Sequence, residues 1–155
     1  MSQSATRAQV THGLEAIYSG VKVGVECSAK TAAIVHDPEI KSFMEGSIKY
    51  SLELGERAEK FMSEFGARKT HINKIIKCQY DVCLEMREKA PDERGQDYSA
   101  IEVMRLALHY YKPIFSSVLV YAEKLRHDAL IKEMRTSIET VEKADEMALE
   151  LLRKK

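Results

Sequence analysis

The sequence contains few residues that interrupt helices. Its 155 residues include three prolines, seven glycines and no tryptophan. It also lacks Asn-Gly and Asp-Gly pairs and any sustained alternation of apolar and polar residues, which are the usual signs of β-hairpins and strands. Because most of the remaining residues are good helix formers, the sequence predicts an all-α protein.

Other absences exclude several classes of protein. The 24 basic and 24 acidic residues balance, so the chain has no strong net field to attract nucleic acid or anionic lipid. No apolar run approaches the roughly 18 residues that span a bilayer, and the N-terminus has no apolar segment typical of a signal peptide. We therefore expect one cytoplasmic domain over residues 1–155 that binds neither nucleic acid nor membranes.

Apolar residues recur every three, four or seven positions, as one face of a helix requires. Asp37 and Pro38 are a typical N-cap and first turn, and Gly66 is a typical C-cap, so they bracket a long second helix. Asp97 or Ser99 is the expected N-cap of the fourth helix. The predicted helices span about residues 5–35, 38–65, 70–89, 97–125 and 128–153. Short links within each long pair favour an antiparallel four-helix bundle with an additional shorter helix in the crossover.

The sequence lacks the usual signature of a metal pair in such a bundle, a Glu-x-x-His motif on each of two helices. The residues three before its five histidines are Gln9, Ala33, Arg68, Leu106 and Lys124. Asp145 is the one acid on a predicted core stripe, and with Glu142 it is the weak metal candidate. We interpret Asp145 as a boundary residue or a hydrogen-bonded structural acid; a relic of a lost ligand or a pocket residue is the alternative.

No residues form a recognisable catalytic set, and no cofactor motif is present. The three cysteines, Cys27, Cys78 and Cys83, have no adjacent histidine and are odd in number. We interpret them as buried free thiols. The sequence thus favours a protein that is not an enzyme and carries no cofactor.

Several segments, in order and spacing, resemble the bacterial YciE and YciF stress-protein family of the ferritin-like superfamily. They are Asp37-Pro38-Glu39-Ile40-Lys41, Phe65-Gly66, Ile76-Lys77-Cys78, His109-Tyr110 and Glu142-Lys143-Ala144-Asp145-Glu146. The resemblance implies a ferritin-like fold, a stress-related role and a paired metal site built from Glu and His. Positions where the family would place ligands carry Val21, Leu108 and Tyr111 instead, so the resemblance implies the fold without most of the ligands.

The fourth predicted helix has apolar residues on a second face as well as on the face toward the core. Both faces must therefore be buried against other parts of the structure. Either the shorter crossover helix or a second subunit could cover the extra face, and we favour a homodimer whose interface includes Tyr110, Tyr111, Ile114 and Tyr121. Gly20 and Gly24 form a Gly-x-x-x-Gly motif, which indicates close contact between helices. Pro113 should bend the fourth helix.

Three functions remain open. The favoured one is a metal-free ferritin-like bundle that acts by self-association or by binding a protein partner. The second is a di-iron type metal-binding protein or oxidase with an atypical site. The third is a carrier of a small apolar ligand, with a pocket near Ser47, Ser51, Gly55 and His109, where several side chains are small.

Overall fold

The computed structural model describes residues 2–154, which fold into five α-helices. They are α1 (Gln3–Ala32), α2 (Pro38–Phe65), α3 (Lys74–Lys89), α4 (Glu93–Leu125) and α5 (Asp128–Lys154). No strand occurs within residues 2–154, so the all-α prediction is confirmed for the described chain. No helix in this range is long and apolar enough to cross a membrane.

The bounds of α2 agree with the prediction because both caps are local. The Asp37 carboxylate accepts hydrogen bonds from the backbone N–H groups of Glu39 and Ile40, at 2.9 and 3.1 Å. At the other end, Gly66 adopts the left-handed conformation with φ of 68°, which glycine tolerates without strain. Residues within one turn therefore mark both ends of this helix.

Three other helix ends differ from the prediction. The first helix ends at Ala32 rather than at residue 35. The third begins at Lys74 rather than near residue 70, because the Asn73 side chain caps it by accepting from the backbone N–H of Ile76. The fourth begins at Glu93 with Asp92 as its N-cap, so Asp97 and Ser99 lie inside α4 and are not caps.

Contacts along the helices give their directions. Arg7 near the start of α1 donates to the backbone carbonyl of Glu64 near the end of α2, and Lys22, further along α1, pairs with Glu59, which comes earlier in α2. In the other three neighbouring pairs, too, residues later in one helix contact residues earlier in the other. For α1 and α4 the contacts are Gly13 with Val118 and Ser28 with Met104. For α4 and α5 they are Arg105 with Asp145 and Glu123 with Arg135, and for α2 and α5 they are Glu39 with Lys154 and Arg57 with Glu133. Neighbouring long helices are therefore antiparallel.

The short helix α3 lies outside the four long helices and covers α4. Its buried residues Ile76, Tyr80 and Cys83 pack with Val103 and Ala107 of α4. The second apolar face of α4 is thus covered by the crossover helix α3, which is one of the two alternatives given above. α4 itself continues as a helix through Pro113.

Glycines let α1 approach α4 closely. A Cβ on Gly20 would lie 3.0 Å from ring atoms of Tyr110 and Tyr111, and one on Gly24 would lie 3.4 Å from the Tyr111 hydroxyl. The close contact predicted from the Gly-x-x-x-Gly motif is confirmed. The tightest contact, however, is at Gly13 against Val118, outside that motif.

Candidate functional site

A cleft of about 540 Å³ runs between α2 and α5, the neighbouring long helices that touch each other least. Small residues on the facing helices, Gly46, Ser47 and Ser51 of α2 and Ala144 of α5, leave this space open. The cleft extends along α2 from Glu39 to Leu54, about 22 Å at 1.5 Å per residue. It is therefore long and narrow.

The floor of the cleft is mostly apolar and comes from the other three helices: Gly24 and Ser28 of α1, Tyr80 of α3, and Met104, Ala107, Leu108 and Tyr111 of α4. Two of its polar groups, on Ser28 and Tyr80, satisfy each other. The hydroxyls of Ser28 and Tyr80 hydrogen-bond, and both lie near the Met104 Sδ, at 3.7 and 3.6 Å.

The phenols of the floor stay protonated. Burial raises the pKa of Tyr80 to about 12. Burial also raises the pKa of Tyr111 well above its ordinary value of 10.0. Neither phenol becomes a phenolate near neutral pH, so the floor offers an uncharged surface with hydroxyls rather than a nucleophile or a base.

One wall of the cleft carries an unsatisfied hydroxyl. The Tyr50 hydroxyl oxygen is buried and has no hydrogen-bond partner among residues 2–154. The Arg57 guanidinium lies 5.6 Å from the centre of the Tyr50 ring and pairs with Glu133 of α5 at 2.8 Å, which ties α2 to α5 beyond this end of the cleft. A buried hydroxyl without a partner lowers stability by about 1 to 3 kcal/mol. Because this oxygen is buried, a molecule in the cleft does not reach it.

The rim of the cleft carries charges of both signs. Glu39, Lys143, Glu150 and Lys154 lie there. Lys154 Nζ is 3.8 Å from Glu39 Oε1, so one pair spans the rim from α5 to α2. With two acids and two lysines the rim has no net charge, which gives no preference for an anion or a cation.

The structure brings together two of the four residues predicted to form a pocket. Ser47 and Ser51 line the cleft. Gly55 is buried against Val21, where an added Cβ would lie 3.1 Å from a Val21 methyl, so its small size serves helix packing. His109 is exposed, lies outside the cleft and contacts Asp145.

The two weak metal candidates are engaged in ion pairs on the seam between α4 and α5. Asp145 accepts two hydrogen bonds from Arg105, at 2.6 and 3.2 Å, and lies 3.2 Å from His109 Nε2. Asp145 is thus a hydrogen-bonded acid at the boundary between α4 and α5. Glu142 pairs with Lys112 at 2.7 Å. Across residues 2–154 no three His, Cys, Asp or Glu residues are grouped so as to hold a metal ion.

Replacing Asp145 with asparagine should give a pH-dependent loss of stability. The hydrogen bonds from Arg105 lower the pKa of Asp145 below its ordinary value of 3.8. A lowered folded-state pKa contributes stability above the unfolded-state pKa, and this is lost as the pH falls through the folded-state value. We expect Asp145→Asn to cost about 1 kcal/mol above about pH 5 and less at lower pH, measured by urea unfolding across pH.

The matched control for this change is Glu142→Gln, which removes a solvent-exposed partner on the same helix and should have no measurable effect on stability. A stability difference between wild type and Asp145→Asn that stays constant from neutral pH down to pH 3 would contradict the assignment.

Sequence reasoning missed a buried polar cluster that joins three segments. The Asp97 carboxylate, 3% exposed, accepts from the backbone N–H of His36 at 3.1 Å and from that of Asp37 at 2.7 Å. Arg87, also buried, lies 3.8 Å from Asp97 and donates to the carbonyls of Gln96 and Ile34, both at 2.8 Å. The cluster fixes the link between α1 and α2 against the ends of α3 and α4.

The three cysteines differ in exposure. Cys83 is buried and Cys27 is half-buried, and burial raises the pKa of both thiols. Cys78 is exposed, so the prediction of a buried thiol is wrong there. Cys78 lies on the outer side of α3. When both faces of a helix carry apolar residues, sequence periodicity does not indicate which face is buried.

The residues predicted to form a dimer interface on α4 mostly contact the protein itself. Tyr111 is buried, and the Tyr110 hydroxyl accepts a 2.7 Å hydrogen bond from the Asn73 side chain. Ile114 and Tyr121 are half-buried against the main core. Tyr111 is thus unavailable to a second subunit in this structure, and an interface through Ile114 and Tyr121 stays a prediction.

Comparisons with known proteins bear on the fold. No family model matches the chain, and no curated protein matches it, so neither comparison supports the YciE and YciF resemblance. Among solved structures, YcfI of Rhodopseudomonas palustris is similar, with a TM-score of 0.83 over 96% of this chain and 93% of that one. That protein carries the provisional description of a structural protein. At 15% sequence identity the likeness shows a shared helical fold alone.

Proposed function

We propose that this protein binds one small, elongated, mostly apolar molecule in the cleft between α2 and α5. The observation that carries the proposal is the cleft itself, about 540 Å³ in volume, with an apolar floor and a few placed hydroxyls. Ligand sites in proteins commonly have this size and this kind of lining. The third sequence-based hypothesis, a carrier of a small apolar ligand, is therefore the one that the geometry supports best.

The shape and polarity of the cleft describe the ligand. A cleft of about 540 Å³ whose lining spans about 22 Å of α2 suits one elongated molecule. The neutral rim favours an uncharged molecule.

We also infer that the four long helices form a ferritin-like four-helix bundle with α3 in the crossover. The antiparallel pairing of α1 with α2 and α4, and of α5 with α2 and α4, supports this. Self-association, a di-iron type centre or oxidase, a stress-related role and a cytoplasmic location all stay predictions.

Binding can be tested with a neutral apolar dye, N-phenyl-1-naphthylamine, and its displacement by 1-decanol. We expect wild-type protein to bind both. Ser51→Phe places a ring in the cleft and should abolish binding. Leu52→Phe, on the exposed side of the same helix, is the matched control and should bind as wild type.

Tyr50→Phe removes only the unpartnered hydroxyl. Because that hydroxyl is buried and makes no hydrogen bond within residues 2–154, its removal should stabilise the fold by about 1 kcal/mol and leave the binding of both probes unchanged. A wild-type protein that binds neither probe, or a Ser51→Phe variant that binds as well as Leu52→Phe, would rule out the cleft as a ligand site.

A further inference from the structure

The floor of the cleft holds one hydroxyl that has no partner in the protein. The Tyr111 side chain is only 8% exposed, yet its hydroxyl makes no hydrogen bond with any residue from 2 to 154. The other two hydroxyls of the floor, on Ser28 and Tyr80, are bonded to each other. Tyr111 is therefore the floor residue whose O–H group still lacks an acceptor within the described chain.

The Tyr111 hydroxyl is open to the cleft. Among the unpartnered hydroxyls of residues 2–154, that of Tyr50 is sealed inside the protein, whereas that of Tyr111 keeps an accessible surface on a residue that lines the cleft. Gly24 lies beside it on the floor, where even an added Cβ would be 3.4 Å from the Tyr111 oxygen. Because glycine has no side chain, it leaves this oxygen uncovered.

The position of Gly24 locates the hydroxyl along the cleft. The Val21 side chain of α1 contacts Gly55 of α2. Gly24 lies about one turn further along α1, and because the two helices are antiparallel, it is level with about Ser51 of α2. The Tyr111 hydroxyl therefore lies near one end of the cleft, and most of the cleft extends from there toward the start of α2.

The surroundings of this hydroxyl are uncharged. Burial holds the pKa of Tyr111 well above 10.0, so the group is a phenol that can donate a hydrogen bond. Arg105 and Lys112 of α4 pair with acids of α5 outside the cleft, and the charged residues of the cleft lie on its rim. An ion at the floor would lose its hydration without gaining a counter-ion, which is costly. A neutral oxygen is the group that suits this position.

We propose that Tyr111 anchors the ligand by donating a hydrogen bond to a neutral oxygen on it, such as that of an alcohol, a ketone or an amide. The proposal rests on the ligand site proposed above, and it adds the class of the ligand and its orientation. The polar end lies on the floor near Ser51, and the apolar chain runs toward the start of α2. One placed polar group in an apolar site is the usual means of fixing how a ligand is oriented.

Two probes of similar length, 2-decanone and 1-chlorodecane, test this anchor, because only the ketone has an oxygen that accepts a hydrogen bond. Both are measured by displacement of the dye. Tyr111→Phe should weaken 2-decanone binding about fivefold and leave the binding of 1-chlorodecane and dye unchanged, since one hydrogen bond is lost. Tyr121→Phe, on the same helix but outside the cleft, is the matched control and should bind both probes as wild type does.

Infrared spectroscopy gives a second readout that a change in packing would not imitate. The C=O stretching band of bound 2-decanone should lie at lower frequency in wild type and Tyr121→Phe than in Tyr111→Phe, because a hydrogen bond weakens the carbonyl bond. Circular dichroism checks that each variant keeps its helices. An unchanged ratio of the two affinities in Tyr111→Phe, or an unshifted band, would overturn the anchor but not the cleft as a ligand site. A wild-type protein that binds neither probe would overturn both.

Discussion

Replacing Asp97 with alanine should lower the free energy of unfolding by about 3 to 5 kcal/mol, the range seen when one member of a buried ion pair is removed. The change leaves the backbone N–H groups of His36 and Asp37 without their acceptor. It also leaves the buried Arg87 guanidinium without a nearby negative charge. Urea unfolding at neutral pH, followed by circular dichroism, measures the loss.

The matched control is Glu102→Ala on the exposed side of the same helix, expected to change stability by no more than about 0.5 kcal/mol. A double variant, Asp97→Ala with Arg87→Met, should lose less than the sum of the single losses, because it removes the unpaired charge as well. If Asp97→Ala resembles Glu102→Ala, the cluster contributes little to the fold and its assignment is wrong.

The second large effect should come from Gly13→Ala. An added Cβ would overlap a methyl group of Val118, which is buried and whose β-branched side chain has essentially one rotamer in a helix. Either α1 and α4 separate or Val118 leaves its rotamer, so we expect a net loss of about 2 kcal/mol in the free energy of unfolding. Thermal and urea unfolding of the variant measure this loss.

Gly46→Ala is the matched control, because Gly46 also lies within a helix but a Cβ there meets no atom within 4 Å. It should stabilise the protein by about 0.5 to 1 kcal/mol, the usual gain for Gly→Ala in a helix. Pairing Gly13→Ala with Val118→Ala should recover part of the loss by making room for the new methyl group. Equal effects at Gly13 and Gly46 would contradict the close packing.

Sequence reasoning predicted best where structure depends on neighbours in the chain. The limits of α2 follow from Asp37, Pro38 and Gly66, whose chemistry acts within one turn. The start of α4 was missed because Gly95 and Pro91 resemble a loop, while Asp92 is able to cap a helix that then passes through Gly95. Propensity alone does not distinguish these outcomes.

Residues that depend on distant partners were the hardest to interpret. Asp97 reads as a helix cap from its local sequence, and its real partners are about 60 residues away. Gly55 and Ser51 are both small residues on one helix. The Val21 side chain occupies the space beside Gly55, whereas Ser51 lines the open cleft. Whether a small residue closes a contact or opens a space depends on the side chain opposite it, which periodicity does not reveal.

Tyr80 belongs to two regions of the molecule at once. Tyr80 belongs to α3, which lies outside the four long helices, yet it forms part of the floor of the cleft. A displacement of α3 therefore alters the space that a bound molecule would fill.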